Sequence, residues 1–117
     1  MTVSLDDVRG ARERLAAAEG IRETPVMHNE TLSERVGADV WLKLEQFQKT
    51  GSFKPRGAYN RISELAEAGD AERVVAASAG NHAQGVAYAA TERGLDSLVF
   101  MPETAPQAKI DATEGYG

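Results

Sequence analysis

Short apolar runs alternating with stretches of helical periodicity constrain this chain most. Val74-Val75-Ala76-Ala77 is followed by Ala83, Val86, Ala87 and Ala90 at helical spacing up to Gly94, and then by the run Ser97 to Met101. Upstream, Val40, Leu42 and Leu44 alternate with Trp41 and Lys43, the signature of a half-buried strand. Tyr59, Ile62 and Ala66 mark a helix from Phe53 to Ala66, with Gly69-Asp70 as its break. Residues 5–19 read as an amphipathic helix with Val8, Ala11, Leu15 and Ala18 on one face. Thr24-Pro25 marks an extended segment, and Thr31 to Val36 a short helix stopped by Gly37. Beyond the loop bracketed by Pro102 and Pro106, Gln107 to Thr113 begins another helix. This alternation predicts an α/β fold, with helices and strands forming part of a parallel, open twisted sheet joined by right-handed crossovers. Val8, Leu15, Ile62, Val86 and Phe100 are the expected core residues.

The charge balance narrows the partners. With 13 basic and 18 acidic residues the chain is acidic overall and has no basic stripe, so neither nucleic acid nor an anionic membrane is expected as a partner. It has no cysteine, which excludes a disulfide framework, a thiolate metal site and a cysteine nucleophile; no metal is expected. Met1 to Gly10 lacks an apolar core and no apolar run approaches the ~18 residues of a spanning helix, so neither a signal peptide nor a membrane span is expected, and the expected location is cytoplasmic.

Two motifs carry chemistry. In Lys49-Thr50-Gly51-Ser52-Phe53-Lys54-Pro55-Arg56-Gly57-Ala58, Gly51 permits a sharp turn, Ser52 suits the N-cap of a helix beginning at Phe53, and Pro55 falls in the first turn, where its missing N–H costs little. Lys54 is thereby held at a turn, and Arg56 is a neighbouring cation of the kind that favours a neutral, nucleophilic amine. On its own the pattern reads first as a solvated lysine at an ordinary helix start, and the second motif is what shifts the balance. In Ser78-Ala79-Gly80-Asn81-His82-Ala83-Gln84-Gly85, small polar residues lie between a strand and a helix. Unpaired N–H groups and the positive end of a helix dipole meet there, which suits a carboxylate or phosphate. Asn81 adds a side-chain donor, and His82 is readable as ligand, base or plain helix-start histidine. Glu45-Gln46, just before the lysine motif, reads as a solvated strand end rather than an acid pair.

Together the motifs resemble the fold-type II pyridoxal 5'-phosphate (PLP) enzymes, tryptophan synthase beta-like in fold, and among them the threonine and serine dehydratases most closely. The resemblance runs from Thr24-Pro25 through both motifs to Met101-Pro102-Glu103-Thr104-Ala105-Pro106 and Lys109. It implies that Lys54 bonds the cofactor covalently and acts as the catalytic base, that Phe53 packs against the cofactor ring and that Asn81 hydrogen-bonds the ring's 3' oxygen. It also implies that Ser78, Ala79, Gly80, Asn81 and His82 hold the carboxylate of a small amino-acid substrate. The implied reaction is dehydration and deamination of threonine or serine to a 2-oxo acid and ammonia. Relatives of the sulfhydrylase and threonine synthase type carry aspartate after the lysine and Gly-Asn-Thr in the second loop, whereas this chain has Pro55 and Gly80-Asn81-His82. Similar racemases carry a serine before the Gly-Asn-His triplet as a proton donor. Here Ala79 stands there, and its methyl group cannot relay a proton, which favours dehydration. Pro55 replaces the aliphatic residue common in that branch and leaves the substrate open.

Family enzymes are several times longer than 117 residues and are expected to be homo-oligomers at full length. Their phosphate-gripping glycine loop and their pyridine-nitrogen partner have no counterpart here. The expectation is an N-terminal portion, with residues 1–48 starting a larger domain and 49–117 forming an incomplete smaller one, and with little or no activity in isolation. The alternatives are a related PLP-dependent lyase or serine racemase, or a non-catalytic remnant that binds an anion at the second loop. Isoleucine biosynthesis is one expected setting, although the sequence does not choose between biosynthetic and catabolic roles.

Overall fold

The computed structural model describes residues 2–69 and 71–117, so Asp70 of the expected helix break lies outside the described residues. The element order is α1 (Leu5–Ala16), β1 (Val26–His28), α2 (Glu30–Val36), β2 (Trp41–Lys43), a 3-10 turn (Glu45–Phe47), α3 (Lys54–Ala68), β3 (Arg73–Ala77), α4 (Asn81–Glu92), β4 (Asp96–Phe100) and α5 (Gln107–Glu114). The fold is of the α/β class.

α1 starts at a reciprocal cap. Asp7 N–H donates to Ser4 Oγ at 3.2 Å while Ser4 N–H donates to Asp7 Oδ2 at 2.8 Å. The Ser4 hydroxyl, donating to Asp7 Oδ2 at 2.7 Å, and then the Ser4 N–H hold the Asp7 carboxyl below the usual carboxylate range. The helix leans on α3 through its C-terminal end, where Arg14 donates to Asn60 Oδ1 at 2.9 Å and to Glu64 Oε1 at 2.8 Å. Its N-terminal half stands clear of the core, so Val8, expected inside, is exposed.

β1 and β2 pair antiparallel, with Met27 opposite Leu42. A parallel pair was expected, and the reason for the difference is the placement of α2. Asn29 caps α2 by accepting from Leu32 N–H at 2.9 Å, and Gly37 ends it with φ +69°. Asn29 N–H donates to Val40 O at 2.9 Å, and Val40 N–H donates to Ser33 Oγ at 2.9 Å. These bonds close the chain back at the end where β1 stopped, so the connection never crosses the sheet face, as parallel pairing requires.

The β3–α4–β4 unit is a parallel crossover, with Val74 opposite Ser97 and Ala77 opposite Phe100. α4 is its centre: every residue from Ala83 to Ala90 is buried, and the helix touches α3, β3, β4 and α5. Alanine and glycine along this stretch let four neighbours approach one helix. Ala58, Tyr59 and Ile62 of α3 pack against Val86, Ala89 and Ala90 of α4 and Val74 of β3, joined by Ala18 and Ile21. Burying one such isoleucine contributes about 1.5–3 kcal/mol. β3 was expected to be buried throughout, yet only Val74 is fully inside. Val75, Leu98 and Phe100 lie on the opposite face of the two strands and are exposed, which corrects the core assignment of Phe100. No helix of the described residues is long and apolar enough to cross a membrane.

Tyr88 of α4 reaches toward Gly20 and meets Tyr116 edge-on at 6.0 Å. Its hydroxyl is buried and has no partner among the described residues. Burial, then the Glu92 carboxylate, pushes it up to about 12. The folded state therefore keeps this proton longer than the unfolded chain does, and stability is lost as pH rises from about 10 towards 12. Denaturation of Tyr88→Phe should show unchanged stability or a gain of up to about 1 kcal/mol near neutral pH, with a flatter profile above pH 10.

Candidate active site

The lysine turn is built between the 3-10 turn and α3. Gln48 is buried and grips Arg22 from both sides, its Oε1 accepting Arg22 N–H at 3.0 Å and its Nε2 donating to Arg22 O at 2.6 Å. Gly51 then turns with φ +72°, a conformation that favours glycine, and Tyr116 Oη donates to Lys49 O at 3.1 Å. α3 begins at Lys54, one residue later than expected. Phe53 holds the cap position and makes no side-chain cap bond, while Ser52 Oγ accepts from Lys54 N–H at 3.3 Å. Pro55 lies in the first turn, fully buried. Lys54 Nζ sits 5.1 Å from the centre of the exposed Phe53 ring, within cation–π range.

Arg56 does not act on Lys54 as a free cation. Its Nη1 faces Glu45 Oε1 at 3.8 Å, and residues two apart on a helix point to different sides. Glu45 itself is no solvated strand end: it opens the 3-10 turn, is largely buried and accepts from Thr24 Oγ1 at 2.6 Å.

The second motif lies between β3 and α4. Ser78 N–H donates to Phe100 O at 3.0 Å, and Ser78 Oγ accepts from Gly80 N–H at 3.2 Å. Gly80 is the extended cap of α4 and leaves the helix without a side-chain cap bond. The N–H groups of the first turn, at Asn81 and His82, are thus free of side-chain caps at the positive end of a 12-residue helix.

Gly85 joins the two motifs. A Cβ at this position would lie 3.1 Å from Lys54 C, 3.2 Å from Lys54 O and 3.2 Å from Pro55 N, so the helices meet backbone to side-chain-free surface. Phe53, Lys54, Gly57, Ala58 and His82 line one cavity of ≈ 250 Å³. Ser78, Ala79, Gly80 and Asn81 do not line it; Asn81 is exposed at the start of α4. A roomier cavity of ≈ 420 Å³ between β4 and α5 presents Glu103 and Glu114, which would repel an acidic substrate. In the smaller one an amine, an aromatic ring and His82 of the uncapped helix start lie together. These groups fit an aldehyde-bearing aromatic cofactor and a carboxylate.

Residues 3–117 match the family described as pyridoxal-phosphate dependent enzyme. The chain belongs to this family. The cofactor of this family is PLP. The chain is 49% identical to the catabolic L-threonine dehydratase TdcB of Staphylococcus aureus over 116 residues, covering 98% of this chain and 33% of that protein. It superimposes on a serine racemase from Dictyostelium discoideum with TM-score 0.88 and 43% identity, over 100% of this chain and 38% of that one. It matches the processed form of threonine deaminase isoform 2 from Solanum lycopersicum with TM-score 0.76 and 38% identity, over 100% and 33% respectively. The chain therefore spans about a third of the length of these relatives. The catabolic name of the bacterial relative lends no support to isoleucine biosynthesis.

Sequence reasoning misread Glu45 as solvated and missed the part played by Gly85. A glycine at the end of the second motif, inside a helical run of small residues, was the available signal for a close helix approach. In this PLP-family fold, Gly85→Val should destabilise the chain by about 1–3 kcal/mol, since backbone atoms cannot yield as side chains do. Gly57→Ala, with nothing within 4 Å of the added methyl, should stabilise it by about 0.5–1 kcal/mol. Chemical denaturation of both variants checks the contrast.

Proposed function

We propose that the parent of this chain is a threonine and serine dehydratase that releases a 2-oxo acid and ammonia. The observation that carries the reading is the shared cavity of Lys54 and His82, held together by the Gly85 approach. The 49% identity to a protein named L-threonine dehydratase supports the substrate. Lys54 would hold the cofactor covalently beside the Phe53 ring, with Asn81 donating to its oxygen. When bound, PLP accepts the electron pair left on the substrate α-carbon. Lys54 Nζ, set free when the substrate amine takes its place on the cofactor, takes the α-proton. The backbone of residues 78–82 and the positive end of α4 hold the substrate carboxylate and fix the orientation of the α C–H bond. The β-hydroxyl departs as water, and hydrolysis then yields the 2-oxo acid and ammonia.

A serine racemase is the second reading, favoured by the TM-score of 0.88 to a solved one. Ala79 weighs against it, because a methyl group cannot return a proton from the opposite face. The division at residue 48, a cytoplasmic location and a full-length homo-oligomer belong to the same proposal. So does near-absence of turnover in the 117-residue chain, whose length leaves out most of what its relatives possess. In the parent enzyme, Lys54→Ala should lower 2-oxo acid release from threonine by about 10²–10⁴-fold, while the short chain should stay at background. Full activity of the parent variant would exclude the role of Lys54. Robust turnover by the short chain, lost in Lys54→Ala, would exclude its inactivity.

A further inference from the structure

Glu45 combines two features that a surface carboxylate lacks. Its Oε1 accepts from Thr24 Oγ1 at 2.6 Å and faces Arg56 Nη1 at 3.8 Å, and its Oε2 is buried with no hydrogen-bond partner among the described residues. Thr24 is itself buried and is fixed through its carbonyl, which accepts from Lys43 Nζ at 2.6 Å. A buried carboxylate oxygen without a donor costs stability and calls for an explanation.

The first turn of α3 supplies one, because it is poorly held by its own residues. Phe53 makes no side-chain cap bond, Pro55 has no N–H to give, and the bond from Lys54 N–H to Ser52 Oγ is long at 3.3 Å. The ion pair from Arg56 to Glu45 ties this turn to the preceding 3-10 turn, with the Gly51 bend between them.

We infer that Glu45 is a positioning residue for Lys54: by holding Arg56 it fixes the first turn of α3 and so sets the Lys54 amine against the Phe53 ring. The inference rests on the reading of Lys54 as the reactive amine, and it is measured without cofactor. Reductive methylation with ¹³C-formaldehyde labels the α-amine and the amines of Lys43, Lys49, Lys54 and Lys109 of the 117-residue chain for NMR, and Lys54→Arg assigns the Lys54 signal. The methyl groups on Lys54 should be displaced from those of Lys109 by the ring current of Phe53. Glu45→Gln should move the signal at least halfway to the Lys109 position, and Glu45→Asp, which keeps the charge, should restore most of the displacement. Lys109 should not move. Should Glu45→Gln not fold, Arg56→Gln cuts the same pair from the other side and should move Lys54 alike. An undisplaced Lys54 signal in the unaltered chain, or one unmoved in a folded Glu45→Gln or Arg56→Gln variant, would overturn the inference. Failure of pyridoxal phosphate to be trapped at Lys54 of the parent enzyme would instead strike the functional reading and leave the positional result standing.

Discussion

The closeness of α4 to the first residues of α3 is the constraint on which the site depends. At Gly85 one helix lies against the carbonyl carbon and oxygen of Lys54 and the nitrogen of Pro55, at separations that leave no room for a methyl group without displacement. A methyl there would press on these backbone atoms and force the two helices to give by a few tenths of an ångström. The residues between Ala83 and Ala90 are small or apolar enough to be buried on all sides. Burial of this helix is thus a packing matter at its middle and a chemical matter at its N-terminal end, and one stretch of sequence serves both.

Electrostatics refine that placement. The chain carries a net charge of −5, yet the end of α4 beside Lys54 presents N–H groups and a positive dipole without a side-chain cap. The Arg56 charge is taken up by Glu45, and Glu45 is engaged in turn by Thr24. Local pairing therefore decides which charges are left to face the cavity, while net charge bears mainly on solubility and partner choice.

Much of this was legible in the sequence, for local reasons. Gly37 and Gly51 do adopt positive φ, Pro55 does lie in the first turn of its helix, and the β3–α4–β4 alternation does give a parallel pair. Each of these follows from the conformational range of one residue or from periodicity over a short window. The misreadings share a different cause, which is contact between distant segments. Nothing near Asn29 or Val40 announces that they will bond each other and turn β1 and β2 antiparallel. Glu45 looks solvated until Thr24 and Arg56 fold over it. Val8 and Phe100 carry core-type side chains, but one stands on the free end of α1 and the other on the outer face of β4. Of the candidate site, the lysine turn and the helix start were readable as separate motifs. Their meeting at Gly85, and the membership of His82 rather than Asn81 in the lysine cavity, required the packed structure.

The most direct measurement is the NMR proximity of Gly85 to the first turn of α3. The account predicts strong nuclear Overhauser contacts from the Gly85 α-protons to the Pro55 ring and the Lys54 α-proton. A folded chain that shows the β3–β4 pairing of Val75 with Leu98 but lacks the Gly85 contacts would contradict it, because the lysine and the helix start would then be two unrelated surfaces.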